Sequence, residues 1–196
     1  MKRLFDIIIS FIGVILLSPL FFIIALIIRI DSTGPVIYKS IRMGKNKKPF
    51  LLHKFRTMYP NYDSFSITIG EKDPRITIVG YYLRKFKVDE LPQLFDVLRG
   101  EMSIVGPRPD VPEYAEYYIH HMPQYFEMKP GITSFASIYF SKECNIYEFA
   151  SDPEKLYVYE TIPKKVELDK KYYNRQHVLM DLYIIFLTLK KLIFSR

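Results

Sequence analysis

Asp89 and Glu90 stand side by side in the stretch KVDELPQLF, Lys87 to Phe95, three and two residues ahead of Pro92. Neighbouring carboxylates repel, and each raises the other's affinity for protons and cations. Such a pair suits a site that receives a metal ion, several cations, or a substrate more anionic than itself. The same residues also have a structural reading. Asp89 is well placed to N-cap a helix beginning there, Glu90 favours the positive end of its dipole, and Pro92 fits the first turn, where an N–H has no intrahelical partner. One capping acid suffices for that purpose, so the second asks for another explanation.

Cations crowd the neighbouring motifs. In FLLHKFRTM, strand alternation places Lys54, Arg56 and Met58 on one face, opposite His53, Phe55 and Thr57, so that two cations project together. In GPRP, Pro107 and Pro109 hold Arg108 between them, and a rigidly placed guanidinium suits a phosphate or a planar base; a stiff connector is the alternative. His120 and His121 are adjacent, diverge on a helix and make a poor metal pair. The single cysteine, Cys144, excludes an internal disulfide and a cysteine-rich metal site, and reads as incidental. A formal charge of +7 points to an anionic partner: a nucleic acid, a phosphorylated small molecule or an acidic membrane surface.

These residues must be positioned by one domain, which is what 196 residues without repeats or low-complexity tracts accommodate. VIYKSIRMG and FLLHKFRTM read as two short strands around the turn KNKKP. A helix carrying Leu83 and Phe86 ends near Lys87, and a second begins at Asp89 and buries Leu91, Leu94, Phe95 and Leu98. About 22 nearly uninterrupted apolar residues run from Ile7 to Ile28, too long for a signal peptide and without its cleavage site. Pro19 kinks this segment, and Ser18 beside it can satisfy the carbonyl that Pro19 frees. Lys2 and Arg3 precede the run, while Arg29, Lys39, Arg42, Lys45, Lys47 and Lys48 follow it, so both ends favour the cytoplasm. A broken helix entering and leaving on one face meets both demands and sets Asp6, Arg29 and Asp31 at headgroup depth; a single kinked span is the alternative. At the other end Val178, Leu182, Ile185, Phe186, Leu189 and Ile193 recur at helical spacing. That helix lies along a membrane surface or packs on the domain's own core. The expected architecture is α/β, mostly helical with a small hairpin or sheet. A re-entrant membrane helix, 1–31, leads into a catalytic domain, 32–177, and an amphipathic helix, 178–196, all in one compact membrane-associated domain.

In this order and spacing, the SP pair within an apolar N-terminal segment, KFRTM, DPRIT, LRKFKVDELPQLFDVLRGEMSIVGPRP and KPGIT resemble the bacterial sugar transferases, the monotopic phosphoglycosyl transferases. The likeness runs from about Lys2 to Thr133. It implies transfer of a sugar 1-phosphate from a UDP-sugar to a polyprenyl phosphate such as undecaprenyl phosphate, giving a polyprenyl diphosphate sugar and UMP. That reaction opens surface-glycan pathways such as exopolysaccharide, capsule or lipopolysaccharide biosynthesis. By the family's pattern Asp89 is the nucleophile, forming a covalent aspartyl phosphosugar, and Glu90 completes the dyad, with Mg²⁺ at Asp89 and Glu90. Lys54, Arg84 and Arg108, with the flanking Pro107 and Pro109, match positions that bind phosphate or nucleotide, and Ser18-Pro19 matches the break in the membrane helix. The implied setting is the cytoplasmic face of the bacterial inner membrane. The implied partners are the two substrates, the lipid bilayer, and a second copy or other glycan-pathway enzymes, without nucleic acid. Ser134, Ser137 and Tyr139 depart from the family's usual residues after PGIT, which bears on recognition of the donor sugar.

Two other functions use the same residues: a membrane-anchored basic binding module, and a metal-dependent phosphohydrolase in which water is the final acceptor. The first leaves the acids Asp89 and Glu90 within the basic region unexplained. The second differs in its product when lipid phosphate is supplied.

Overall fold

The computed structural model describes residues 1–60, 68, 70, 73–141 and 143–194. Its first element is the long helix α1, Lys2–Asp31, which continues through Pro19. Proline removes the N–H that would bond the carbonyl four residues earlier, here that of Ile15. Ser18 Oγ donates to that carbonyl at 2.8 Å, as its place beside Pro19 leads one to expect. One stripe of α1, including Asp6, Ser10, Ile24 and Ile28, is buried, while Ile8, Phe11, Leu16, Phe22, Ile23, Leu26 and Ile30 are exposed. The helix is long and apolar enough to cross a membrane.

Both ends of α1 are fastened to the rest of the molecule. At the start, Lys2 Nζ donates to Asp181 at 2.7 Å, to the Tyr172 hydroxyl at 2.8 Å and to the Val105 carbonyl at 3.1 Å. Asp6 accepts from Ser103 Oγ and from Ile104 N–H. Asp6 is therefore enclosed by protein: a buried carboxylate takes hydroxyl and amide donors where it has no water. At the far end, Ile24 and Ile28 pack with Phe55 and Leu83. Arg56 donates to the carbonyls of Ser32 and Thr33. This corrects the pairing of Arg56 with Lys54 on one strand face. The strand ends at Phe55, and the Arg56 guanidinium turns inward to the carbonyls just beyond α1.

The hairpin expected from sequence is present: β1, Ile37–Met43, and β2, Pro49–Phe55, pair antiparallel, with Tyr38 opposite Lys54. A 3-10 turn at Lys45–Lys47 joins them, with Asn46 and Lys47 at positive φ. Next come α2, Ile78–Lys85, and α3, Gln93–Arg99. Asp96 on α3 is fully buried and accepts from the His53 N–H at 3.0 Å, with the His53 ring at 2.6 Å. Arg3 and Lys129 donate to the carbonyls at the end of α3, the favourable place for cations. Thus α3 is held to β2 along its side and capped at its close.

A second sheet, which the sequence reading did not foresee, pairs β3, Ser103–Val105, in parallel with β4, Gly131–Thr133. Between them lies α4, Ala115–His121. After β4 come short helices α5, Phe135–Tyr139, α6, Glu143–Tyr147, and α7, Pro153–Leu156, then a π turn, Tyr157–Thr161, and α8, Ile162–Tyr173. The last helix, α9, is Val178–Phe194. The core gathers around Val97, Met102, Val105, Tyr118, Ile162, Tyr172 and Ile184. Packing of the C-terminal helix on the domain's own core is present: α9 buries Asp181 and Ile184 and exposes Leu182, Phe186, Leu189 and Ile193. The described fold is mostly helical, with small sheets.

Candidate active site

Asp89 and Glu90 belong to a 3-10 turn, Val88–Glu90, not to the first turn of α3, whose cap position is Pro92. No side-chain cap bond is made there, and Asp89 Oδ1 is buried with no hydrogen-bond partner among the described residues. The N-cap reading of Asp89 is thereby corrected. Lys87, just upstream, takes a left-handed conformation (φ 57°), which turns the chain out of α2 and directs both acids inward. An L side chain at such a φ is uncommon and marks a locally imposed geometry.

The two acids have opposite surroundings. Glu90 faces Lys54 Nζ at 2.9 Å and takes both Arg108 nitrogens, at 2.6 and 3.2 Å. Burial alone would raise the Glu90 carboxyl, but Arg108 and Lys54 outweigh it and hold it well below the usual carboxylate range. Glu90 is a fixed anion that fastens two cations. Asp89 goes the other way: burial and the neighbouring Glu90 charge push its carboxyl up, against the pull of Lys54, Arg84 and Lys87. Burial lowers the Lys54 ammonium, with Glu90 opposing. One acid is committed to the scaffold and the other keeps an oxygen open.

Four elements bring these groups together. Lys54 comes from the end of β2, Arg84 from the last turn of α2, the acids from the turn before α3, and Arg108 from the loop after β3. The proline-flanked loop is fixed to the parallel sheet, with Gly106 N–H bonding Thr133 O at 3.0 Å and Gly131 N–H bonding Pro107 O at 2.8 Å. A Cβ on Gly106 or Gly131 would run into the facing backbone, so the close approach requires glycine on both sides. Ser18 and Pro19 lie apart, midway along α1. Lys87 was missed from sequence; its signal was a cation two residues ahead of the acids. Among the positions that depart from the family's pattern, Ser134 is fully buried and caps α5 by accepting from Ser137 N–H at 3.1 Å, while Tyr139 is exposed.

No cluster of three or more metal-ligating His, Cys, Asp or Glu occurs among the described residues. An all-protein metal cage therefore does not fit. A Mg²⁺ ion held by one or two carboxylates, with substrate phosphate oxygens and water completing its shell, does fit the open Asp89 oxygen.

A buried pair of acids, ringed by lysine and arginine beside a long apolar helix, is an arrangement whose cations can receive an anionic group. More narrowly, the chain belongs to the bacterial sugar transferase family, whose model matches residues 1–195. It is 38% identical over its full length to an undecaprenyl-phosphate glucose phosphotransferase from Komagataeibacter xylinus, covering 36% of that protein. It is 39% identical over 97% of its length to a UDP-glucose:undecaprenyl-phosphate glucose-1-phosphate transferase from Klebsiella pneumoniae, covering 39% of that protein. The chain thus spans under half the length of these two relatives. It spans 86% of an exopolysaccharide production protein, ExoY, from Sinorhizobium fredii, at 34% identity over its full length.

Proposed function

We propose that this protein is a phosphoglycosyl transferase that moves a sugar 1-phosphate from a UDP-sugar to undecaprenyl or a similar polyprenyl phosphate, as the first step of a surface glycan. The observation that carries the reading is the contrast within the dyad: Glu90 saturated by Lys54 and Arg108, and Asp89 buried with an open oxygen. An Asp89 oxygen attacks the sugar-bearing phosphorus. The bond from that phosphorus to the bridging oxygen breaks, UMP departs with the electron pair, and an aspartyl phosphosugar remains. An oxygen of the lipid phosphate then attacks the same phosphorus and displaces Asp89, giving the polyprenyl diphosphate sugar. The step is an in-line substitution performed twice, which implies ping-pong kinetics.

Lys54, Arg84 and Arg108 neutralise a diphosphate that would otherwise repel Asp89, the electrostatic share of phosphoryl-transfer catalysis. When bound, Mg²⁺ would add charge neutralisation at the diphosphate oxygens, held by Asp89; Glu90, expected as its second ligand, is taken up by Lys54 and Arg108. The raised proton affinity of Asp89 suits a nucleophile: a more basic carboxylate donates its electrons more readily. Because both ends of α1 join one body, the polar body cannot lie on opposite sides of a membrane, which supports α1 dipping into one leaflet from the cytoplasmic face of the inner membrane.

The test uses the full chain in lipid nanodiscs with Mg²⁺ and a panel of UDP-sugars. Without lipid phosphate, the correct donor should release up to one equivalent of UMP and add the mass of a sugar phosphate to the peptide containing Asp89. Release of free sugar phosphate in many turnovers would instead make the protein a phosphohydrolase. UMP release only in the presence of lipid phosphate, with no adduct, would make the transfer direct.

A further inference from the structure

The residue after the GPRP turn is tied down more heavily than a connector requires. The Asp110 main-chain carbonyl accepts from Met43 N–H at 2.8 Å, which already joins the loop to β1. Its carboxylate then accepts from its neighbour's N–H, Val111, at 2.8 Å, from the Tyr118 hydroxyl at 2.9 Å, and from the Tyr157 hydroxyl. Arg42 lies 3.6 Å from it. Tyr118 and Tyr157 are both buried. Behind Tyr157 stands a buried lysine, Lys165, whose Nζ is 3.4 Å from the Tyr157 hydroxyl and 4.6 Å from the ring centre. One carboxylate thus collects bonds from α4 and from the π turn that leads into α8, two residues along the chain from Arg108.

We propose that Asp110, with Tyr118 and Tyr157, is a positioning device for Arg108. Proline fixes φ on either side of Arg108 but leaves the loop free to swing as a unit about its ends. The entry end is fixed by the Gly106 and Pro107 bonds to β4, and the exit end by Asp110. With both ends fixed, the guanidinium meets Glu90 with two nitrogens, and a bidentate contact tolerates little displacement. The π turn at Tyr157–Thr161 serves this purpose: an irregular turn within a helical segment re-aims a side chain, here toward Asp110. No Asp110, Tyr118 or Tyr157 atom need touch substrate, so all three act through Arg108.

This inference rests on the transferase reading, and its test separates the two. UMP release is measured for the wild type, Asp110→Asn, Tyr157→Phe and Arg108→Gln, and for Asp110→Asn and Tyr157→Phe each combined with Arg108→Gln, with melting temperatures throughout. Tyr157→Phe keeps the ring and removes one hydroxyl, so it remains informative if Asp110→Asn folds poorly. Both single variants should lower kcat by ~10-fold or more with a smaller change in KM for the UDP-sugar, the pattern of a contact made in the transition state. Once Arg108 is Gln, adding either change should lower kcat less than ~2-fold, because residues acting as a unit are non-additive. Losses that multiply in full, or single variants with wild-type kcat, would overturn the positioning role while leaving the transferase reading intact. A wild type that releases UMP from no UDP-sugar would remove the reading beneath it.

Discussion

Two of the regions that bury carboxylates treat them in opposite ways. Where the first turn of α1 meets β3 and α9, Asp6 receives a serine hydroxyl and a main-chain N–H, and Asp181 receives Lys2 and the Tyr172 hydroxyl. In the turn before α3, Asp89 is buried too, yet one of its oxygens has no partner among the described residues, and the charge of Glu90 beside it raises its carboxyl further. A buried polar atom without a partner is unfavourable by a few kcal/mol. Asp6 and Asp181 are satisfied acids that hold the body together, whereas Asp89, like Asp169 through its Oδ1, is a place where the fold gives up stability.

The largest effect that would break this comparison is at Asp89 itself. Asp89→Asn should reduce UMP release by ~10⁴-fold or more, as loss of a covalent nucleophile does. It should leave the melting temperature equal or higher, because burial and the Glu90 charge raise the Asp89 carboxyl and so make its ionised form unfavourable in the folded state. A clear fall in melting temperature would make Asp89 a structural acid like the others. Asp181→Ala should do the reverse. Losing the partner of Lys2 and Tyr172 should cost about 3–4 kcal/mol in denaturant unfolding, with kcat per folded molecule preserved.

Asp169 lies between the two cases and sharpens the contrast through pH. Burial raises its carboxyl to about 6, although Tyr125 donates to it. Between its unfolded value near 3.8 and that folded value, the native state keeps a proton that the unfolded chain has released. Stability therefore falls as pH rises through this window, by up to about 3 kcal/mol from this group. In Asp169→Asn that component should vanish, so the stability of the variant relative to wild type should improve from pH 4 to pH 7. A difference flat in pH would show that Asp169 titrates normally. The smallest effect is expected at Lys54, where replacement by Met should lower activity by at least ~10-fold (about 1.4 kcal/mol) and shift the melting temperature by only a few degrees. A stability loss that accounts for the whole activity loss would return Lys54 to the scaffold.

What the sequence disclosed follows from how local each signal is. The hairpin, the apolar helix with its proline, and the cationic loop are written in neighbouring residues, and they appear where expected. Ser18 reaching the Ile15 carbonyl is local chemistry too. Destinations across the chain were not legible. Strand alternation assigned Arg56 a face, but the strand stops one residue earlier and Arg56 turns to Ser32 and Thr33. Nothing near Asp6 in the sequence announced its partners, which come from β3, about a hundred residues away. The adjacency of Asp89 and Glu90 hinted at chemistry. Which of the two stays open depends on Lys54 and Arg108, brought in by β2 and the loop after β3.

The contact between Lys2 and Asp181 also sets an order of events during synthesis. The two residues are 179 positions apart, so at roughly 5–20 residues per second the start of α1 waits on the order of 10–40 s for its partner. Within that interval the far end of the helix can already pack on Phe55 and Leu83 and Asp6 can meet Ser103, while Lys2 still lacks its carboxylate. The body closes around the start of the helix only when α9 arrives. The Lys2 contact is thus one of the last to form, although Lys2 is made well before Asp181.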